Sequence, residues 1–321
     1  MPVPGLVPLG PVDLELVSSA SHHDGYRPMK RIRIKHVTEY HYHSAVTFDE
    51  HRAMLRPREG HDLHIVSSAM DLKPAADVRW LRDFYGNSVA VFSFLEPGKL
   101  LSLTSEVLVE MHDADPFDSQ FKPTVEVYPF QYPAHEQVEI IPYRVPSYEH
   151  DGPALLQWLS ALYQPGQTAN SLDLLNSLNS RIFESFRYER REEHGVQTPC
   201  QTMARGSGSC RDYAVFMMEA ARHWGFAARF VTGYIQMGEG QHGSTHAWTE
   251  IYVPGSGWCG FDPTNNKTAG SEHVAVGVAR EQEKAAPLTG SWSGDPQAFD
   301  RLEVSVEVSA VGDSASVTNF Q

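Results

Sequence analysis

Gly206-Ser207-Gly208-Ser209-Cys210-Arg211-Asp212-Tyr213 is the stretch on which the reading of this chain turns. Two glycines allow a tight backbone approach, because they tolerate dihedral angles that other residues avoid. Ser209 suits an N-cap, and Asp212, three residues on, completes a capping-box-like pair. Ala214, Met217, Met218, Ala221 and Trp224 then recur at helical spacing, which predicts a helix over 210–224 with an apolar stripe. Cys210 stands in its first turn. There the partial positive charge of the helix favours a thiolate over a thiol, and free backbone N–H groups can stabilise an oxyanion. Cys210 is therefore a candidate nucleophile, although its position alone also allows a small core residue.

Downstream, Thr245-His246-Ala247-Trp248-Thr249-Glu250-Ile251-Tyr252-Val253 alternates with period two, the mark of a strand. His246, Trp248, Glu250 and Tyr252 share one face. The turn Pro254-Gly255-Ser256-Gly257 leads into a second strand, Trp258-Cys259-Gly260-Phe261, which ends at Asp262-Pro263. In an antiparallel hairpin the start of the first strand lies near the end of the second. His246 and Asp262 are thus expected at the same end of a sheet, with the register left open. A thiol, an imidazole and a carboxylate in that order follow the nucleophile–base–orienter logic of acyl transfer. Taken singly, His246 also reads as an ordinary strand histidine and Asp262 as a turn residue before proline. Trp248 is a candidate wall of the acyl site, or a packing residue. The segment 238–243 reads as a plain connection or a substrate-gating lip.

Working outward, residues 1–28 are rich in proline, then serine and histidine, and read as a disordered tail. Met29 competes with Met1 as the translational start. From 29 to 148 the signals are β: Ile32 and Ile34 alternate with Arg31, Arg33 and Lys35. Turns fall at Asp83–Asn87 and Pro97-Gly98, and Leu101, Leu103, Val107, Val109 and Met111 oppose Glu106 and Glu110. An antiparallel β-sandwich domain is expected. Prolines 142, 146 and 153 mark a boundary, and 149–321 reads as an α+β domain. Its further helices are expected over 154–163 and 171–186, and its strands over 227–235, 245–253 and 258–261. In a last strand, 302–308, Leu302, Val304, Val306 and Val308 should point inward.

The 321 residues are 41% apolar and carry a formal net charge of −14, the profile of a soluble globular chain with no general attraction to nucleic acid or anionic membrane. Three cysteines, Cys200, Cys210 and Cys259, are odd in number and sparse, which argues against a disulfide framework. No run approaches the length of a membrane span, and the N-terminus lacks a secretion signal's basic and apolar regions. A cytoplasmic protein is expected. His41 and His43 share a strand face, but nothing specifies a third ligand, so neither metal nor cofactor is expected.

The segments 208–214, 225–234, 246–252 and 257–264 resemble the core of the transglutaminase-like superfamily, with its order of Cys, His and Asp. Leu55-Arg56-Pro57-Arg58 and Asp83-Phe84-Tyr85-Gly86-Asn87 resemble the β-domain that precedes this core in bacterial members. Cys259 stands where a small or aliphatic residue is expected. The resemblance spans about 30–310. It implies a papain-like α+β core behind the sandwich, with Cys210, His246 and Asp262 as a triad and a second oxyanion donor upstream, for which Tyr188, Gln197 and Gln201 are candidates. It further implies a cysteine protease or amidohydrolase acting through a thioester on a protein or peptide carrying a carboxamide or amide bond. Glutamine–lysine crosslinking is the runner-up, and a non-catalytic binding module on the same fold is the contrasting class.

Overall fold

The computed structural model describes residues 30–112, 127–191, 193–236 and 245–311. The expected tail, the start at Met29 and the 238–243 loop lie outside them.

The alternation at Ile32 and Ile34 belongs to a 19-residue strand, β1 (Lys30–Phe48). It is followed by β2 (His51–Ala53), β3 (Leu63–Lys73), β4 (Ala76–Arg82), β5 (Ser88–Phe94) and β6 (Gly98–Met111). In the first sheet β6 lies antiparallel between β1 and β3, with Ile32 opposite Val109 and Ile34 opposite Val107. Arg31 meets Glu110 at 2.7 Å and Arg33 meets Glu106 at 3.1 Å across the opposite face, so charge pairs reinforce the register. β2, β5 and β4 lie in the second sheet, whose fourth strand is the short pair Leu288–Thr289 beside β2. Leu103 of β6 shares a core with Ala53, Leu55, Ala90 and Phe92 of the second sheet, which gives the expected sandwich.

Among the described residues five α-helices follow: α1 (Gln137–Arg144), α2 (Gly152–Leu159), α3 (Ser171–Ser185), α4 (Pro199–Arg205) and α5 (Cys210–His223). The three helices read from spacing are α2, α3 and α5. Two others escape that reading. α1 contains Pro142, a residue that reads as punctuation. α4 has seven residues, begins with Pro199, carries a Thr198–Gln201 capping box and stops at Gly206 with φ 63°; it is made by its ends rather than by a stripe. Strands β7 (Ala227–Ile235), β8 (His246–Val253), β9 (Gly257–Asp262) and β10 (His273–Ala279) build an antiparallel sheet in the order β9-β8-β7-β10. α5 covers one face of it, packing with Phe226, Phe230, Ile251 and Phe261, and Thr249 Oγ1 donates to the Ala214 carbonyl at 2.7 Å.

The other face rests on the first sheet. Tyr234, Val274 and Val276 share an apolar cluster with Ile32, Ile34, Val107 and Val109. The same cluster takes in Val306 and Val308 of β11 (Phe299–Val311), which pairs with β1 along the edge away from β6. The strand assigned to the second half thus lies in the first sheet, beside β1. The physical reason is the edge of β1, a long row of backbone donors and acceptors that needs a partner. The inward set is also shorter than expected: Val306 and Val308 are buried, whereas Leu302 is 47% exposed. Among the described residues no helix is long and apolar enough to cross a membrane.

A buried histidine forms one of the polar ties across the contact between the halves. His36 of β1, buried, meets the Tyr234 hydroxyl at 2.9 Å through Nδ1 and Thr38 Oγ1 at 2.8 Å through Nε2. Burial pushes its pKa from 6.5 down to about 4. Between those values the unfolded chain holds more protons than the folded one. His36 therefore withholds nothing from stability above about pH 6.5 and subtracts progressively as the pH falls toward 4, by ~3 kcal/mol in all. Urea unfolding midpoints should drop over that window, and His36→Phe should flatten the drop relative to the parent chain; an unchanged slope would remove His36 as its source.

Candidate active site

Three local devices fix the start of α5. Gly206, in the left-handed region, ends α4. A Cβ on Gly208 would come within 3.0 Å of Asp212 Cβ, so only glycine lets the chain pass this close. Asp212 is fully buried: its Oδ2 accepts from Ser209 N at 2.8 Å and Ser209 Oγ at 2.7 Å, and its Oδ1 from Arg191 Nη1 and Gln197 N, each at 2.7 Å. The reciprocal pair read from sequence is present, and it also clamps the 187–197 segment. Within that segment Arg187–Tyr188 pairs in parallel with Ser207–Gly208, which sets Tyr188 beside Cys210.

Cys210 opens α5 and is partly exposed. His246 opens β8 and Asp262 closes β9. The ladder between them runs as far as Thr249 opposite Phe261, so both side chains stand just past its paired region. His246 Nε2 lies 2.8 Å from Asp262 Oδ2, which leaves Nδ1 for the thiol. Burial alone would lower the His246 pKa, but hydrogen bonds to Asp262 and Cys210, together with their charge, outweigh it and raise it to about 10. The imidazole is then a cation at neutral pH and can serve as counter-ion to a thiolate and as proton donor. The other two thiols are poorly suited: burial pushes Cys259 up to about 12, and burial with the neighbouring Asp151 raises Cys200.

Two further residues, not picked out by the sequence, converge on Asp262. His273 Nε2 lies 3.1 Å from Oδ2, and Asn265 Nδ2 donates to Oδ2 at 2.7 Å. The backbone N–H groups of Thr264 and Asn265 donate to Oδ1 at 3.0 and 3.3 Å. Burial would raise this carboxyl, but these donors hold it far below the usual carboxylate range. The Asp-Pro-Thr-Asn turn could have announced Asn265, since aspartate often takes N–H groups two and three residues on. His273, one of sixteen histidines, carries no local signal.

Trp248 is 2% exposed and packs with Val231 and Val278. Its ring stacks on His246 at 6.2 Å and meets His273 edge-on at 5.2 Å. It is a brace for the two histidines, and the cleft that holds Cys210 is lined without it. Of the oxyanion candidates, Tyr188 lines that cleft. Gln197 is buried with its amide turned to the Ser207 carbonyl and Arg191. Gln201 accepts from Thr198 N at 2.9 Å as part of the α4 cap. Both glutamines are committed to backbone structure. The cleft measures about 630 Å³; its opposite wall is Phe299, Arg301 and Leu302 of β11.

Among the described residues two groups bring three metal-ligating side chains within 4.8 Å of one another. One is His246, Asp262 and His273, whose ligand atoms are already engaged with each other. The other is Glu39, His41 and Glu303, a surface group in which His41 lies 3.4 Å from Glu39.

Residues 32–110 match the family described as the bacterial transglutaminase-like N-terminal region, and 161–263 match the transglutaminase-like superfamily. The uncharacterized protein Rv2569c of Mycobacterium tuberculosis is 27% identical over 276 residues, covering 81% of this chain and 87% of the relative. The uncharacterized protein ML0607 of Mycobacterium leprae is 25% identical over 309 residues, 87% of this chain and 99% of the relative. Among solved structures, a proposed cysteine protease from Cytophaga hutchinsonii superposes with a TM-score of 0.66 at 18% identity, over 92% of this chain and 95% of that one; the likeness is one of fold.

A direct check on the electrostatics is an NMR titration of the His246 ring nitrogens. The midpoint should lie near 10 in the parent chain, and Asp262→Asn should lower it, because the carboxylate is one of the groups that raise it. A midpoint left in place by that change would mean Asp262 does not set the charge of the imidazole.

Proposed function

Because this chain belongs to the transglutaminase-like superfamily, with the bacterial N-terminal region ahead of the core, we propose that it is a cysteine-dependent amide or peptide hydrolase working through Cys210, His246 and Asp262. One observation carries the reading: a partly exposed thiol at a helix start, facing an imidazole that is hydrogen-bonded to a buried carboxylate, inside a cleft of substrate size. Cys210 Sγ attacks the carbonyl carbon of a carboxamide or peptide bond. The S–C bond forms and the negative charge moves to oxygen, for which α5 backbone N–H groups and the Tyr188 hydroxyl are the assigned donors. As the C–N bond breaks, His246 passes its proton to the leaving amine. Water then gives a proton to His246 and adds to the thioester; the C–S bond breaks and the thiolate returns. Asp262 is a positioning residue, holding the tautomer and angle of the imidazole.

Water is the expected acceptor in this reading. Transfer to an amine uses the same acyl-enzyme and needs a mouth that excludes water; it is the second reading. The expected substrate is a protein or peptide, and three unpaired thiols suit a reducing compartment such as the cytoplasm.

Single-turnover acylation by an activated peptide ester, with mass spectrometry of the adduct, tests this reading. Acyl groups should be trapped on Cys210 alone. Cys210→Ala should abolish trapping, and His246→Ala should come close to abolishing it. Tyr188→Phe should slow acylation by ~10²-fold or more, while Gln201→Ala should leave it nearly unchanged. Full trapping in folded Cys210→Ala would overturn the assignment. An adduct that water never releases but added lysine does would turn the reading to crosslinking.

A further inference from the structure

The chain as a whole carries a net charge of −14, yet the cleft around Cys210 is collared by arginines. Four guanidinium groups line it, those of Arg190, Arg191, Arg211 and Arg301. Two are neutralised in place: Arg191 by Asp212 at 2.7 Å, and Arg301 by Asp300 at 2.7 Å and Glu303 at 2.6 Å. The other two have no carboxylate partner among the described residues. Arg211, next to the nucleophile, is pinned by its Nη2 to the carbonyls of Arg191 and Glu193 at 3.2 and 2.5 Å. These contacts fix the group without cancelling its charge, and its buried Nε–H has no acceptor. Arg190 is exposed on the same side of the cleft. Both act electrostatically on the Tyr188 hydroxyl beside Cys210, so their field reaches the reacting atoms.

A pair of guanidinium groups without carboxylate partners, both lining the cleft, matches a carboxylate in charge and in hydrogen-bonding capacity. We infer that the acyl group taken by Cys210 carries a carboxylate near the scissile carbonyl, held by Arg190 and Arg211. The inference rests on the thiol chemistry proposed above and names its substrate class: acidic peptides or acidic acyl amides. The facing wall offers Phe299 and Leu302, 45% and 47% exposed, so an apolar neighbour to the acidic group suits the other side. The overall negative field of the chain repels such substrates at long range, and the collar makes the cleft the place where they are drawn in.

The test uses two matched probes on the full chain. The first compares acylation by the nitrophenyl ester of an acetylated glutamyl-alanine peptide with that of its glutaminyl-alanine counterpart. The acidic ester should acylate Cys210 roughly ten-fold faster or more at low salt, and the advantage should shrink as salt is added. Arg190→Gln should lower the acidic-to-neutral ratio, and Arg190→Glu should bring it to one or below. The second probe compares alkylation of Cys210 by iodoacetate and by iodoacetamide, which differ in charge and require no acyl transfer. The same ranking and the same response to Arg190 substitutions are expected. Equal rates within both pairs, on a Cys210 that reacts readily, would overturn the inference and leave the thiol-hydrolase reading standing. Arginine changes that slow both members of a pair alike would also overturn it, because they would assign the collar to the oxyanion. A Cys210 inert to all four reagents would overturn both proposals.

Discussion

A carboxylate removed from water is costly unless donors replace its hydration, and Asp262 is fully buried. Two imidazoles, one amide and two backbone N–H groups converge on it. Three separate pieces of the fold bring those donors together. β8 supplies His246, β10 supplies His273, and the turn after β9 supplies the rest. The order of strands around β7 follows the same need, since β10 reaches the site from the far edge of the sheet. Trp248 fills the space between the histidines, and the sheet makes room for it: a Cβ on Gly233 would lie 2.7 Å from the indole and 2.2 Å from the Val274 carbonyl. The charge on the imidazole, on which the proposed chemistry depends, is thus the outcome of a whole sheet packed around one anion.

Asp212 does for the nucleophile what Asp262 does for the base. It is equally buried, and its four donors tie the start of α5 to the segment carrying Tyr188 and the arginines. The two carboxylates divide the labour. One sets the position and charge of the imidazole; the other sets the position of the thiol and of the groups around its mouth. The cleft between them is closed by neither half alone, because one wall comes from β11 of the first sheet.

What the sequence made legible follows from how local each signal is. The start of α5, the alternation of β8 and the turn before β9 are written within a few residues of Cys210, His246 and Asp262, so the three could be read and ordered. The sandwich was legible for the same reason, through Ile32, Ile34 and the 101–111 alternation. What failed depends on contacts distant in the chain. Tyr188 differs from Gln197 and Gln201 only through a two-residue parallel bridge to Ser207–Gly208. Trp248 shares a strand face with His246, but that face turns toward the packed interior behind the histidines. His273 sits eleven residues beyond Asp262, and nothing in its neighbourhood signals that the strand folds back to it. β11 is plainly a strand by its alternation, yet alternation does not say which sheet it joins.

The placement of β11 also has a consequence for how the molecule is made. β1 is one of the first described elements to leave the ribosome and β11 the last, and they are neighbours in one sheet. Vectorial synthesis therefore presents β1 and β6 long before the strand that covers their edge exists. Until residues near 300 emerge, that edge is open to any other strand, and closing it requires a contact of very high sequence separation, which is slow. Cys210 is synthesised well before Phe299 and Leu302, so a nascent or truncated chain holds its thiol in a cleft that lacks a wall, and the complete site comes into being only with the final closure of the sheet.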